Sequence, residues 1–195
     1  FRNEPIRTFA HPDERASLER ELSEVREMFG REYPLLIGGR RISGPRTIPS
    51  RNPAHPGQIV GNVVAATKLD AGDALEAATA AFPSWSRISP GERAGFLLRA
   101  AEAIRRERDF WNALMIFEVG KTWIEADADT AEAIDFLEYY GREALRLAHP
   151  APLVPSPLNE DNHLRYLPLG VGAVIPPWNF ALAIMAGMTA AALVC

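Results

Sequence analysis

The stretch Leu169-Gly-Val-Gly-Ala-Val-Ile-Pro-Pro-Trp-Asn-Phe180 decides how this chain is read. Its first half, Gly170-Val-Gly-Ala-Val-Ile175, is a short apolar run of the kind that forms a buried strand, and Pro176-Pro177 halts it. Beyond Asn179, residues 180–195 are apolar and alanine-rich and read as a buried helix, although Gly187 weakens the local case. Strand, tight polar turn and buried helix form the unit from which nucleotide-binding α/β sheets are built. The expected fold class is therefore α/β. Asn179 lies where a strand ends and a helix starts, and its ordinary role there is an N-cap. An amide fixed at that point can equally donate a hydrogen bond to a developing oxyanion. Trp178 would pack in the core or offer a flat wall to a ligand. Gly170 and Gly172 satisfy only two of the three glycines of a Rossmann fingerprint, and prolines stand where its helix would begin, so that motif carries little by itself.

The surrounding composition is that of a folded protein. The 195 residues carry 21 Lys+Arg against 25 Asp+Glu, a formal charge of 21 − 25 = −4, with 47% hydrophobic and 24% charged residues. The acidic balance argues against a nucleic-acid groove and against a polybasic membrane surface. One cysteine, Cys195, cannot form an internal disulfide, which fits a reducing, cytoplasmic compartment. The four histidines share no metal-ligand spacing, so no metal is expected. No charged residue follows Arg165, yet Pro168, Pro176, Pro177 and Asn179 interrupt that tail. The unbroken piece 180–195 is 16 residues, short of the ~20 that a membrane span needs. Nothing near Phe1 has the basic–apolar–small order of a signal peptide. The expectation is a soluble protein cut short at its C-terminal end.

Upstream, residues 12–29 repeat Leu18, Leu22, Val25 and Phe29 at helical spacing. Strand-like pieces at 34–37 and 59–65 are separated by the turn signals Gly38-Gly39, Ser43-Gly44-Pro45 and Asn52-Pro53. Asp70 is the expected N-cap of an alanine-rich helix ending near Phe82, before Pro83. Ser89-Pro90-Gly91-Glu92 is a capping box that opens a helix to about Arg106. A helix over 109–119 is terminated by Gly120, and the longest helix covers 123–147. The prolines at 150, 152, 155, 157 and 168 exclude a helix and suggest an extended arm or hairpin.

Three patterns invite chemistry. Gly120-Lys121-Thr122 lacks the earlier glycine of a P-loop, since Met115 stands there, and the residues before it are helical. The acidic series Glu125, Asp127, Asp129, Glu132, Asp135, Glu138 lacks EF-hand spacing and is expected to lie mostly on the solvated face of the long helix. Its packing stripe is Trp123, Ala126, Thr130, Ile134, Leu137, Gly141 and Ala144. Glu132 lies roughly opposite that stripe but beside Phe136 and Tyr139, and a carboxylate among aromatics can point into a ligand pocket.

With these residues in hand, the chain resembles the NAD(P)-dependent aldehyde dehydrogenase superfamily. Pro177-Trp-Asn-Phe180 matches its PWNF segment. Asn52-Pro53, Val60-Gly61, Ala81-Phe-Pro-Ser-Trp85, Glu92-Arg93, Glu118-Val-Gly-Lys-Thr122 and Glu125-Ala126 follow in the family's order, from about Tyr33 to Cys195. Within the superfamily it looks most like the L-glutamate γ-semialdehyde (1-pyrroline-5-carboxylate) dehydrogenases of proline breakdown. The words carrying this are Glu118-Val-Gly-Lys-Thr-Trp123, Glu125-Ala-Asp-Ala-Asp-Thr-Ala-Glu-Ala-Ile-Asp-Phe-Leu-Glu-Tyr-Tyr140, Glu160-Asp-Asn162 and Gly187-Met188. The separate N-terminal segment and Val174-Ile-Pro-Pro-Trp178 favour the stand-alone enzyme over the version fused to proline dehydrogenase.

The resemblance implies a division into an N-terminal helical extension (1–32), outer strands and helices of an NAD-binding domain (33–148), an oligomerisation arm (149–168) and the first Rossmann-like strand-turn-helix (169–195). It implies that Asn179 is the oxyanion-hole amide, that Ile175, Pro176, Pro177, Trp178 and Asn179 line the NAD pocket, and that Glu132 and Phe180 lie by the aldehyde. Residues 151–166 would pair with another subunit of a homo-oligomer. In such enzymes a cysteine thiolate attacks the aldehyde, the oxygen becomes anionic, hydride passes to NAD, and water releases the acid. Two departures stand out: Ala181 replaces the usual proline, and Cys195 occupies a position usually held by a small residue. Cys195 is not the family's catalytic cysteine, which lies further downstream, so these 195 residues alone are expected to be inactive. The rival expectations are a helical interaction module with a proline-rich arm, or a family member oxidising another aldehyde.

Overall fold

The computed structural model describes residues 1–149, 158, 160, 162–164 and 166–195. Among these residues six helices and five short strands follow in the order α1 (Pro12–Glu27), β1 (Glu32–Tyr33), β2 (Leu35–Ile37), β3 (Arg40–Ile42), β4 (Thr47–Arg51), β5 (Ile59–Val64), α2 (Lys68–Trp85), α3 (Pro90–Arg106), α4 (Arg108–Val119), α5 (Trp123–Ala148) and α6 (Ala183–Val194). β5 is the middle strand of a three-stranded sheet, parallel to β1 and antiparallel to β4. β2 and β3 form a hairpin whose turn, Gly38-Gly39, has both residues at positive φ (56° and 76°).

α5 is the spine. Its side chains Ile134 and Leu137 meet Leu97 and Ala101 of α3 and Ala190 and Val194 of α6. Its Ala126 and Ala133 meet Met115 of α4 and Ala183 and Ala186 of α6. Small residues let α6 come very close: a Cβ added at Gly187 would lie 2.8 Å from Cδ2 of Phe136. A second core joins Leu18 and Val25 of α1 to Phe9, Val60, Ala113 and Phe117. The segment before α1 is a strap. Arg7 N donates to Asp127 Oδ2 (2.6 Å), Glu4 N donates to Asp135 Oδ1 (2.7 Å), and the Phe9 ring meets Trp123 edge-on at 5.5 Å.

Most expected elements are present, with instructive displacements. The helix expected from Asp70 begins at Lys68. Thr67 is its N-cap, with Asp70 as the third residue of a capping box, and it runs through Pro83 to Trp85. A proline removes one N–H and crowds one carbonyl, which a helix near its end tolerates. The Ser89 capping box and the left-handed Gly120 (φ 75°) are as expected. The strands β1, β3 and β4 are additions. Residues 170–175, expected as a strand, carry no ladder, because no described strand lies beside them. The arm expected to pair with another subunit, 151–166, falls largely outside the described residues. Among the described residues no helix is long and apolar enough to cross a membrane, and no group of three or more His, Cys, Asp and Glu is placed to hold a metal.

Candidate active site

The site residues expected from sequence come from two elements: Glu132 from α5, and 175–180 from the approach to α6. The latter is open. Ile175 is 83% exposed, Trp178 81% and Phe180 44%, and Asn179 is also exposed. α6 begins three residues later than expected, at Ala183, and its N-cap is Leu182, whose side chain cannot accept a hydrogen bond. Asn179 is therefore not the N-cap, which corrects that expectation. Its amide makes no hydrogen bond to a described residue, so its donors are free for a ligand. The turn is closed instead by Ile184 N donating to Phe180 O (3.1 Å).

What caps α6 is a carboxylate 54 residues away. Oδ1 of Asp129, on α5, accepts from Ala183 N at 2.7 Å. Oδ2 of the same carboxylate accepts from Lys121 Nζ at 2.7 Å, and the side chain of Asp129 is fully buried. A buried carboxylate at a helix N-terminus satisfies an otherwise orphaned N–H and complements the positive end of the helix dipole. Lys121 supplies the compensating charge that such burial requires. The same Nζ lies 4.8 Å from the centre of the Phe180 ring, a cation–π contact. The other end of α6 is held in the same way, since Trp85 Nε1 donates to Leu193 O (2.9 Å) and Arg93 Nε to Val194 O (2.9 Å). α6 has no side-chain caps of its own and is capped from elsewhere at both ends.

Glu132 lies one turn beyond Asp129. Its carboxyl is pushed above the ordinary carboxylate range by partial desolvation first, then by the negative charge of Asp129, with Lys121 opposing and Asp135 adding. The residue as a whole is exposed, so water screens the effect. Lys121 is thus the common neighbour of the Glu132 side and the Phe180 side of the site. Of the sequence-derived residues, Phe180 and Glu132 are connected through Lys121 and Asp129, and no contact joins 175–178 to them among the described residues.

Sequence alone assigns neither Lys121 nor Asp129 a place at the site. Asp127 and Asp129, expected on the solvated face, are both fully buried, a correction of that expectation. Asp127 accepts from Arg108 Nε (2.7 Å) and Nη2 (2.6 Å), from Asn112 Nδ2 (3.0 Å) and from Arg7 N. Periodicity shows which residues share a face but not whether another element brings a cation to it. One signal was available: Ala126, Asp129 and Ala133 stand at spacings of three and four, which places an acid in the middle of an alanine seam.

The strap, the α5 spine and the Pro-Trp-Asn-Phe turn together define the class. The chain belongs to the aldehyde dehydrogenase family, whose family model matches residues 41–195. It is 48% identical over its whole length to the 1-pyrroline-5-carboxylate dehydrogenase of Geobacillus thermodenitrificans and covers 38% of that protein. The solved structure of 1-pyrroline-5-carboxylate dehydrogenase from Thermus with bound NAD superposes with a TM-score of 0.94 at 47% identity, over 100% of this chain and 38% of that one. Proline utilization A from Bdellovibrio bacteriovorus gives a TM-score of 0.85 at 31% identity, over 100% of this chain and 20% of that one. The chain therefore spans well under half the length of the relatives it matches, and its architecture is that of the N-terminal part of the aldehyde dehydrogenase fold.

Proposed function

We propose that the whole protein oxidises L-glutamate γ-semialdehyde to L-glutamate with NAD as hydride acceptor: aldehyde, water and NAD⁺ give acid, NADH and H⁺. The observation that carries this reading is the Phe180 ring over Lys121, a cation whose charge also acts on Glu132, with Asn179 the residue before Phe180 and its amide without a partner among the described residues. The names of the relatives support the substrate, and the NAD-bound Thermus protein supports the cofactor.

In this reading the Asn179 side-chain amide donates a hydrogen bond to the aldehyde oxygen as that oxygen gains negative charge. A fixed donor stabilises the charge without the reorganisation that water would need. Phe180 and Glu132 form part of the wall around the aldehyde. Residues 175–178 suit a dinucleotide, because Ile175 and the indole of Trp178 present apolar surface to solvent and no described strand uses the local backbone. When bound, NAD accepts the hydride released as the carbonyl carbon is oxidised. The rest of the proposal comprises a cytoplasmic homo-oligomer joined through 151–166, and the division of the chain at 32, 148 and 168 with a Rossmann-like unit over 169–195.

The test is an assay of the complete enzyme for NADH formation with glutamate semialdehyde against a panel of aliphatic aldehydes. Selective turnover of the semialdehyde is expected. Preference for a simple aldehyde would replace the substrate, and no turnover of any aldehyde would favour a non-catalytic interaction module.

A further inference from the structure

We propose that Asp129 is a positioning residue, whose buried carboxylate ties the start of α6 and Lys121 to α5 and thereby fixes the Asn179–Phe180 turn. The proposal rests on the reading of Asn179 as the oxyanion donor. The geometry forms a closed loop of contacts. Oδ1 holds Ala183 N and Oδ2 holds Lys121 Nζ, each at 2.7 Å. Lys121 Nζ lies 4.8 Å from the Phe180 ring centre, and Phe180 O accepts from Ile184 N one residue beyond Ala183. Both faces of the turn, the ring of Phe180 and the first N–H of the helix that follows, are therefore referred to a single carboxylate on α5, the helix that packs against α3, α4 and α6. Among the described residues no other side chain caps this end of α6, and that of Leu182 has no acceptor. Capping from another element also explains how a helix without polar first-turn residues starts at a defined position. A side chain that donates to a charge developing in the transition state gains most when its backbone is fixed beforehand. Asp129 supplies that fixation without touching substrate.

A carboxylate serving only packing would weaken the whole protein, whereas one serving the turn acts through Asn179. A double-mutant cycle in the complete enzyme separates the two. Asp129→Asn keeps the size but loses the charge that holds Lys121. It is expected to lower kcat by about tenfold, with the aldehyde KM changing by less than about threefold, in the otherwise unaltered enzyme. In the Asn179→Ala background the same substitution is expected to cost less than about twofold, because the donor it positions is gone. Equal losses in both backgrounds, or an unchanged kcat, overturn the proposal. A kcat that is indifferent to Asn179→Ala alone overturns instead the oxyanion reading beneath it. Hydrogen exchange tests the positioning without turnover: Asp129→Asn should speed exchange at residues 183–186 and leave α3 and α4 unchanged. Unchanged protection at 183–186, or loss spread evenly over the chain, counts against it. Should Asp129→Asn fail to fold, Lys121→Met removes the Phe180 contact together with the charge paired to Asp129 Oδ2, leaves the Asp129–Ala183 bond in place, and is subject to the same comparison of backgrounds.

Discussion

Asp127 and Asp129 stand two residues apart on the same helix, both fully buried, and face nearly opposite ways because two residues turn a helix by about 200°. Asp127 faces the N-terminal strap and is saturated: four donors converge on it, and the network runs on through Arg108 to Glu4 and Pro5 O and through Asn112 to Thr130. Asp129 faces the approach to α6, where two donors meet it and the ring beyond Lys121, that of Phe180, is 44% exposed. On one side of α5 the buried carboxylate is met by four donors. The other is held at a few points beneath an open surface. The difference teaches that a buried carboxylate can serve stability or preorganisation, and that what lies beyond its first partners distinguishes the two.

The largest effect should come from breaking the closed side. Asp127→Ala leaves Arg108, whose side chain is 6% exposed, without its bidentate partner, and Arg7 N and Asn112 lose an acceptor. Removing one member of a buried pair costs about 3–5 kcal/mol, read from the urea midpoint of the complete protein. A loss below about 1 kcal/mol would mean that the strap network is not cooperative. On the open side, Asn179→Ala should leave the melting temperature nearly unchanged, since the amide is exposed and unbonded, while kcat falls by about 10²–10³-fold. Unaltered turnover would remove Asn179 from the chemistry. The contrast sharpens when both variants are measured both ways: the first should move stability most, the second kcat alone.

The seam between α5 and α6 links the two sides. Gly187→Ala places a methyl 2.8 Å from Phe136 Cδ2, and that ring is itself stacked on Tyr140 at 5.8 Å, so it cannot swing aside freely. Overpacking of this kind costs about 1–3 kcal/mol, again from the urea midpoint, and should shift α6 and with it the turn. A neutral result would show that Phe136 yields without disturbing α6.

How far this was legible in the sequence follows the range of the interactions. Local signals carried: the Ser89–Glu92 box, the Gly120 stop and the α5 stripe depend on residues three or four apart, and each stands where expected. The site roles proposed for Asn179, Phe180 and Glu132 rest on the resemblance of the Pro-Trp-Asn-Phe turn and the long helix to a family, since spacing alone left an N-cap and a solvated carboxylate as open readings. Partnerships made across the fold were not legible. The Asp129–Ala183 bond joins residues 54 apart, and Arg7 reaches Asp127 across 120 residues. The apolar run 170–175 reads as a strand from hydrophobicity, but a strand exists only where another strand accepts its hydrogen bonds.

The smallest predicted effect is the most specific to the open side. The carboxyl of Glu132 titrates above its ordinary value, so the folded protein binds that proton more tightly than the unfolded chain does. Its contribution to stability is then greatest at low pH and declines as pH rises from the unfolded value, about 4.3, through the raised folded one. Glu132→Gln removes the penalty, so it should raise the melting temperature slightly at neutral pH, with the gain vanishing below about pH 4. Exposure and solvent screening keep the gain within about 0.5 kcal/mol. In the proposed function Glu132 lies by the aldehyde, so the same variant should lose kcat/KM for the semialdehyde. Asp127 has the opposite signature, since removing it costs stability. If Glu132→Gln also destabilises at neutral pH, the two faces of α5 do not differ in kind, and the distinction between a closed structural side and an open functional one fails.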